Sequence, residues 1–256
     1  MLTIRSKKLG CIALTVCLAV SACGCKAEVD PAQAQAIQDA QAALEAEQNG
    51  TSAADEEAAA ELQSLYEKLH LQEIPAEDPV RADADFELPA IAQLLAYKAT
   101  YPQAFEDVDA DENAWYQYEE DFWIVAAMGL IAVPPEGAKD KYGYTHVKKD
   151  VLLDYALALI PVYAETGEVP SMDNIYGVSG NPRSDVIDLD GIGFSVKAEI
   201  VLLGRVTGSA DVVMRVHLED AEGLMSPNEW DVVLQDWPDG ASHALPLQVL
   251  SISPVK

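Results

Sequence analysis

The run "DVDADEN" at 107–113 sets three carboxylates, Asp107, Asp109 and Asp111, at the first, third and fifth positions of a calcium-loop spacing. Two other positions of such a loop fail: the sixth is Glu112 rather than glycine, and the twelfth is Tyr118 rather than glutamate. Asp111 or Asn113 capping the helix that follows explains the run more simply. Just beyond, Trp115, Tyr116, Tyr118, Phe122 and Trp123 place five aromatic rings in nine residues, more than one buried face accommodates. Core packing takes most of them. Tyr116 and Trp123 are the candidates for an exposed sugar-stacking surface, with Lys148 and Lys149 as polar neighbours. Catalytic patterns are missing. Gly177-Val178-Ser179-Gly180 lacks nucleophile-elbow spacing, the histidines at 70, 146, 217 and 243 are dispersed, and no His-Glu-x-x-His, phosphate loop or dinucleotide glycine pattern occurs. No catalytic residue, metal or cofactor is assigned, and a non-enzymatic protein is expected.

Two of the four cysteines, Cys23 and Cys25, close an apolar run that follows a basic end. Arg5, Lys7 and Lys8 supply the charge, and the apolar stretch from Leu9 to Ala19 falls short of the roughly 20 residues that cross a bilayer. Val20-Ser21-Ala22-Cys23 resembles the lipobox of bacterial lipoproteins: an aliphatic residue, two small ones, then cysteine. The resemblance implies that residues 1–22 are a signal peptide, that the Cys23 thiol carries diacylglycerol, and that lipid holds the chain on the extracytoplasmic side of the cell membrane. More than one acyl chain makes such anchoring stable. Cys11 and Cys17 leave with the signal, and no cysteine follows Cys25. The folded part therefore has no thiol for a disulfide, a zinc site or a nucleophile.

Charge narrows the partners. The chain carries a net −27, and the three bases of the signal raise that figure, so the mature chain is more acidic still. Nucleic acid is rejected as a partner, as are anionic headgroups. Half the residues are apolar, as in a globular protein. Residues 23–86 read as an acidic stalk: Ala/Gln/Glu-rich helices near 32–48 and 53–70, then a linker at 71–86 with two prolines and no periodicity. Residues 87–166 read as a small helical module with three amphipathic helices. Residues 167–256 switch to period two, with Phe194, Val196, Ala198, Ile200 and Leu202 in one strand and Val212, Met214, Val216 and Leu218 in the next. The expected class is α+β, ending in an antiparallel sheet of four or five strands with one buried face. Helix 147–164 is its expected cover.

The segment "AFEDVDADENAWYQYEEDFWIVAAMGLI", with "YTHVKKDVLLDYALALI" after a loop, is similar to one S-layer homology module. Phe105, Asp107, Val108, Trp115, Gly129, Leu130 and Ile131 carry the match. Val147-Lys148-Lys149-Asp150-Val151 departs from the family's second helix start, and only Lys149 resembles its basic residue. The family binds cell-wall polysaccharide, so the resemblance implies a wall polymer or glycan as partner. Three functions follow in order: a lipid-anchored, non-catalytic binding or structural module of the envelope; glycan binding through the aromatic helices; and hydrolysis, which a deep pocket holding two carboxylates, or a His beside a hydroxyl, would mark. Replacing Cys23 by Ala should release the chain from membranes, as read by fractionation; unchanged retention would sink the anchor.

Overall fold

The computed structural model describes residues 53–105, 112–160, 170, 178–180, 185–189, 191–220, 225–238 and 241–255. The signal peptide, Cys23, the helix expected at 32–48 and Asp107, Asp109 and Asp111 lie outside them. Helix α1 (Ala53–Lys68) matches the Ala/Glu-rich run, and strand β1 (Leu71–Glu73) follows almost at once. Asp78-Pro79 then starts helix α2 (Pro79–Thr100). The Asp78 carboxylate accepts from the Val80 amide at 3.1 Å, and Pro79 sits in the first turn, where a missing N–H goes unnoticed. The stretch 71–86, expected as a linker, is thus a strand and the first turns of a helix. Its prolines and acids are start signals, and Ile74, Val80 and Ala84 are buried.

From Ala90 to Tyr97 every residue of α2 is buried, so this helix has neighbours on all sides. Helix α3 (Glu112–Ala132) packs on it, and strand β2 (Thr145–Lys148) leads into helix α4 (Lys149–Leu159), which packs on α3. Gly129 of α3 marks the tightest approach: an added Cβ there would collide with Leu159 of α4 and lie 3.6 Å from Ala90 of α2. The remaining strands are β3 (Val178–Gly180), β4 (Val186–Leu189), β5 (Val196–Val206), β6 (Val212–Asp220), β7 (Glu229–Asp236) and β8 (Leu247–Pro254). They form two antiparallel sheets, one in the order β1-β5-β6-β7-β8 and a small one in the order β2-β4-β3. The fold is α+β.

The large sheet presents Val212, Met214, Val216 and Leu218 to the core, as the alternation requires. Strand β5 breaks its alternation at a bulge between Ile200 and Leu202. Ile200 stands opposite Val216, but Leu203, not Leu202, stands opposite Met214. Leu202 is buried on the other face, where the Tyr66 hydroxyl of α1 donates to the Leu203 carbonyl at 2.7 Å. The chief cover of the core face is α2, which lies over β5, β6 and β8. Helix α4, the expected cover, meets the large sheet chiefly at β8 within its described length. Residues 60–256 form one compact unit, and one core cluster includes residues of both the helices and the sheet; the expected boundary at 166/167 lies outside the described residues. No described helix is long and apolar enough to cross a membrane.

Glu87, on α2 and 1% exposed, joins that helix to β8: its Oε1 accepts from the Leu247 amide at 2.5 Å. Burial pushes the carboxyl up to about 8, against the opposing pull of the Leu247 N–H. The folded chain therefore keeps a proton that the unfolded chain releases above its ordinary value of 4.5. This group's contribution is fullest below that value and declines as pH rises to about 8. Glu87→Gln retains the acceptor oxygen and cannot ionise. Denaturant titrations of both chains should show the wild type losing stability between acid and mildly basic pH relative to the variant, by on the order of a few kcal/mol. Parallel pH profiles would show that Glu87 stays ionised in the fold.

Candidate functional site

A cleft of about 660 Å³ opens between the C-terminal end of α2, one side of α3 and the segment Ile192–Phe194 ahead of β5. Tyr97 and Tyr101, one helical turn apart at the end of α2, form its aromatic wall, with ring centroids 4.8 Å apart and planes tilted by 45°. Tyr101 is 54% exposed, whereas Tyr97 is buried with only its cleft side open. The loop Pro102–Ala104 continues the wall. Lys98 holds it by donating from Nζ to the carbonyls of Pro102 and Ala104 at 2.7 and 2.8 Å. The next residue, Phe105, has φ of 64°, a left-handed conformation unusual for a bulky side chain. Its ring is held 6.4 Å from both Tyr97 and Tyr118.

The opposite wall is fixed by Gln93. Its side-chain amide pairs with the backbone of Phe194 as a neighbouring strand would: Oε1 accepts from the Phe194 N–H at 2.7 Å, and Nε2 donates to the Phe194 carbonyl at 3.1 Å. Gly193, with φ of 150°, lets the segment approach, because an added Cβ would lie 3.1 Å from Gln93 Oε1. The Phe194 ring then meets Tyr97 edge-on at 6.5 Å.

On α3 the polar centre of the cleft is Asp121, 2% exposed. Its Oδ1 receives two hydrogen bonds, from the Tyr97 hydroxyl at 2.6 Å and from Gln117 Nε2, one turn earlier, at 2.8 Å. Burial and the Asp121 carboxylate both push the Tyr97 phenol well above its ordinary value, so it remains a donor. Among the described residues no lysine, arginine or histidine pairs with Asp121. Glu120, exposed at the rim, is the other charged residue of the wall. An open cleft with aromatic faces, one buried carboxylate and side-chain amides suits a ligand with an apolar face and several hydrogen-bond donors.

The residues expected from sequence lie elsewhere. Trp123 is 2% exposed and packs edge-on against Phe122, so it offers no stacking face; α3 is enclosed there by its neighbouring helices. The Tyr116 side chain is outside the described set. Lys148 is exposed on β2 and Lys149 half-buried at the start of α4, and neither lines the cleft. Lys148 instead shares the outer face of the small sheet with His146 and Asp188, near exposed Tyr142 and Tyr144. His146 lies between two acids, with Nδ1 2.6 Å from Asp188 and Nε2 3.4 Å from Asp140. Asp188 first, then Asp140, hold its imidazole above the ordinary value. A second histidine, His243, stacks on Trp237 at 3.6 Å and lies 2.6 Å from Asp154. The other Asp154 oxygen accepts from the Ala244 amide, which ties α4 to the segment before β8. Both pairs join elements of the fold, and neither stands in the cleft. Among the described residues no group of three or more His, Cys, Asp or Glu is placed to hold a metal ion.

The cleft residues Tyr97, Tyr101, Gln117 and Asp121, with Gln93 behind the wall, did have a sequence signal, the pairs at spacing four on two adjacent helices. No protein-family model, curated protein or solved structure matches the chain. Tyr97→Phe removes one of two donors to a buried carboxylate and should cost about 1–3 kcal/mol in denaturant unfolding. Tyr101→Ala, at an exposed position, should stay within about 0.5 kcal/mol. Equal losses in the two variants would contradict the assigned roles.

Proposed function

We propose that this chain is an exported lipoprotein, anchored through Cys23, whose α2/α3 cleft holds a saccharide of the cell envelope without altering it. The observation that carries this is the pairing of the exposed Tyr101 ring with the buried Asp121 carboxylate in one open cleft. A sugar ring carries C–H groups on one face and hydroxyl donors round its edge; Tyr101 suits the first, and Asp121 with Gln117 the second. The wall's charged residues are both acids, which disfavours phosphate-rich or otherwise anionic polymers. Glu120 and Asp121 are neighbours on one helix, whereas glycoside hydrolysis requires two carboxyls flanking the bond from opposite sides. That placement supports holding over cleaving. The resemblance of residues 105–160 to a wall-binding module points the same way.

Co-sedimentation of the detergent-solubilised full chain with purified cell wall tests this. The chain should pellet with the wall, and Tyr101→Ala should weaken binding about tenfold or more, consistent with loss of one stacked ring. Unchanged pelleting of Tyr101→Ala would remove the cleft from the account.

A further inference from the structure

We infer that the cleft selects a ligand bearing a primary ammonium group: an amino sugar whose amine is free rather than acylated. The inference rests on the saccharide reading above and adds the charge of the ligand.

Asp121 is the reason. An ionised carboxylate removed from water is costly unless a counter-charge or a full set of donors replaces the solvent. Asp121 has neither within the protein as described. Both of its hydrogen bonds come from neutral donors and both fall on Oδ1. No described residue bonds to Oδ2, and no described cation forms an ion pair with the group. Lys98, next to Tyr97 in sequence, is directed to the Pro102 and Ala104 carbonyls and does not line the cleft. Arg215, by contrast, answers its carboxylate in full, with two bonds to Asp231 at 2.7 and 2.8 Å. Asp121 therefore stands on the cleft wall with both of its hydrogen bonds on Oδ1 and no described partner at Oδ2.

The surroundings suit a cation. Tyr97 and Tyr101 line the same cleft as the carboxylate, and an ammonium is drawn to aromatic rings as well as to anions. Glu120 at the rim adds a second negative charge along the approach. The Gln93–Phe194 pairing fixes the far wall, so the space opposite Asp121 is set before any ligand arrives. An ammonium at Oδ2 would complete the carboxylate's coordination, with the sugar body lying along the tyrosines.

Calorimetric titration of the full chain in detergent, at mildly acidic pH, compares oligomers of glucosamine, oligomers of N-acetylglucosamine and lysine amide. The expected result is at least tenfold tighter binding of the glucosamine oligomer than of its acetylated counterpart, and no comparable affinity for lysine amide. Asp121→Asn keeps an oxygen for Tyr97 and Gln117, so the variant should fold as the wild type does by thermal unfolding. It should lose the preference for the free amine, so that the two oligomers differ in affinity by less than about twofold. Equal affinity for the two oligomers in the wild type would overturn the ammonium assignment and leave the saccharide reading standing. Binding of lysine amide as tight as that of the glucosamine oligomer would keep the ammonium and overturn the saccharide. No binding of any of the three overturns both.

Discussion

A helix buried on every side must satisfy its polar side chains across its neighbours, and α2 carries three of them. Glu87 bonds to the β8 backbone, Gln93 to the backbone of Phe194, and Tyr97 to Asp121 of α3. Gln93 and Tyr97 are four residues apart and share a stripe of the helix, while Glu87 lies six residues earlier on another face. Each bond reaches a different element. None of the three side chains is satisfied until its partner element is docked, and an unmade bond of this kind costs more than a made one contributes. The sheet edge, the segment before β5 and helix α3 are therefore tied to one rod. Apolar burial supplies most of the driving force, but these bonds select which arrangement of the layers forms.

The cleft is a consequence of the same seam. Tyr97 binds Asp121 and so sets the spacing of α2 and α3; Gln93 sets the position of the opposite wall. Where α2 ends at Thr100 the seam stops, and the chain turns through Pro102–Ala104 under the hold of Lys98. The space beyond the last bond is what remains open. Its carboxylate sits where the fold already needs a hydrogen-bond acceptor for Tyr97, so on the proposed reading one residue would serve packing and recognition together. A site of this kind has little freedom to drift, since its walls are fixed by the bonds that fix the core.

The sequence made the helices and the sheet alternation legible, but not the central position of α2. Ile91, Leu94 and Leu95 carry a helical spacing, but the burial of every residue from Ala90 to Tyr97, the other faces included, does not show in that spacing. Its first turns hold Arg81, Asp83 and Asp85 between two prolines, a composition that reads as linker although Asp78-Pro79 is also a helix start. The small sheet escaped for another reason. Strands β2 and β4 are four residues long and some forty apart in sequence, so no local pattern announces the pairing of His146 with Asp188. In β5 the bulge shifts the inward face from Ile200 to Leu203, which strict alternation cannot foresee. The cleft pairs Tyr97/Tyr101 and Gln117/Asp121 were visible as spacings. What stayed hidden was that the two helices face each other.

The early start of the fold also moves the spacer. With β1 paired to β5 and Tyr66 bonded to Leu203, residues 71–86 are held in the sheet and in α2 and contribute no slack. The compact unit begins at Ala60. For a chain lipidated at Cys23, any reach from the membrane must come from the residues between Cys23 and Ala60, rich in alanine, glutamine and glutamate. The thirty residues from Cys23 to Ser52 precede helix α1, and at no more than about 3.5 Å each they limit that reach to roughly 105 Å. From Cys23 to Ala60 the only base is Lys26, so the acids of this stretch have almost no positive charge beside them in sequence. On the reading proposed above, acidity near Cys23 would bear on distance from the membrane, and acidity in the cleft on the choice of ligand.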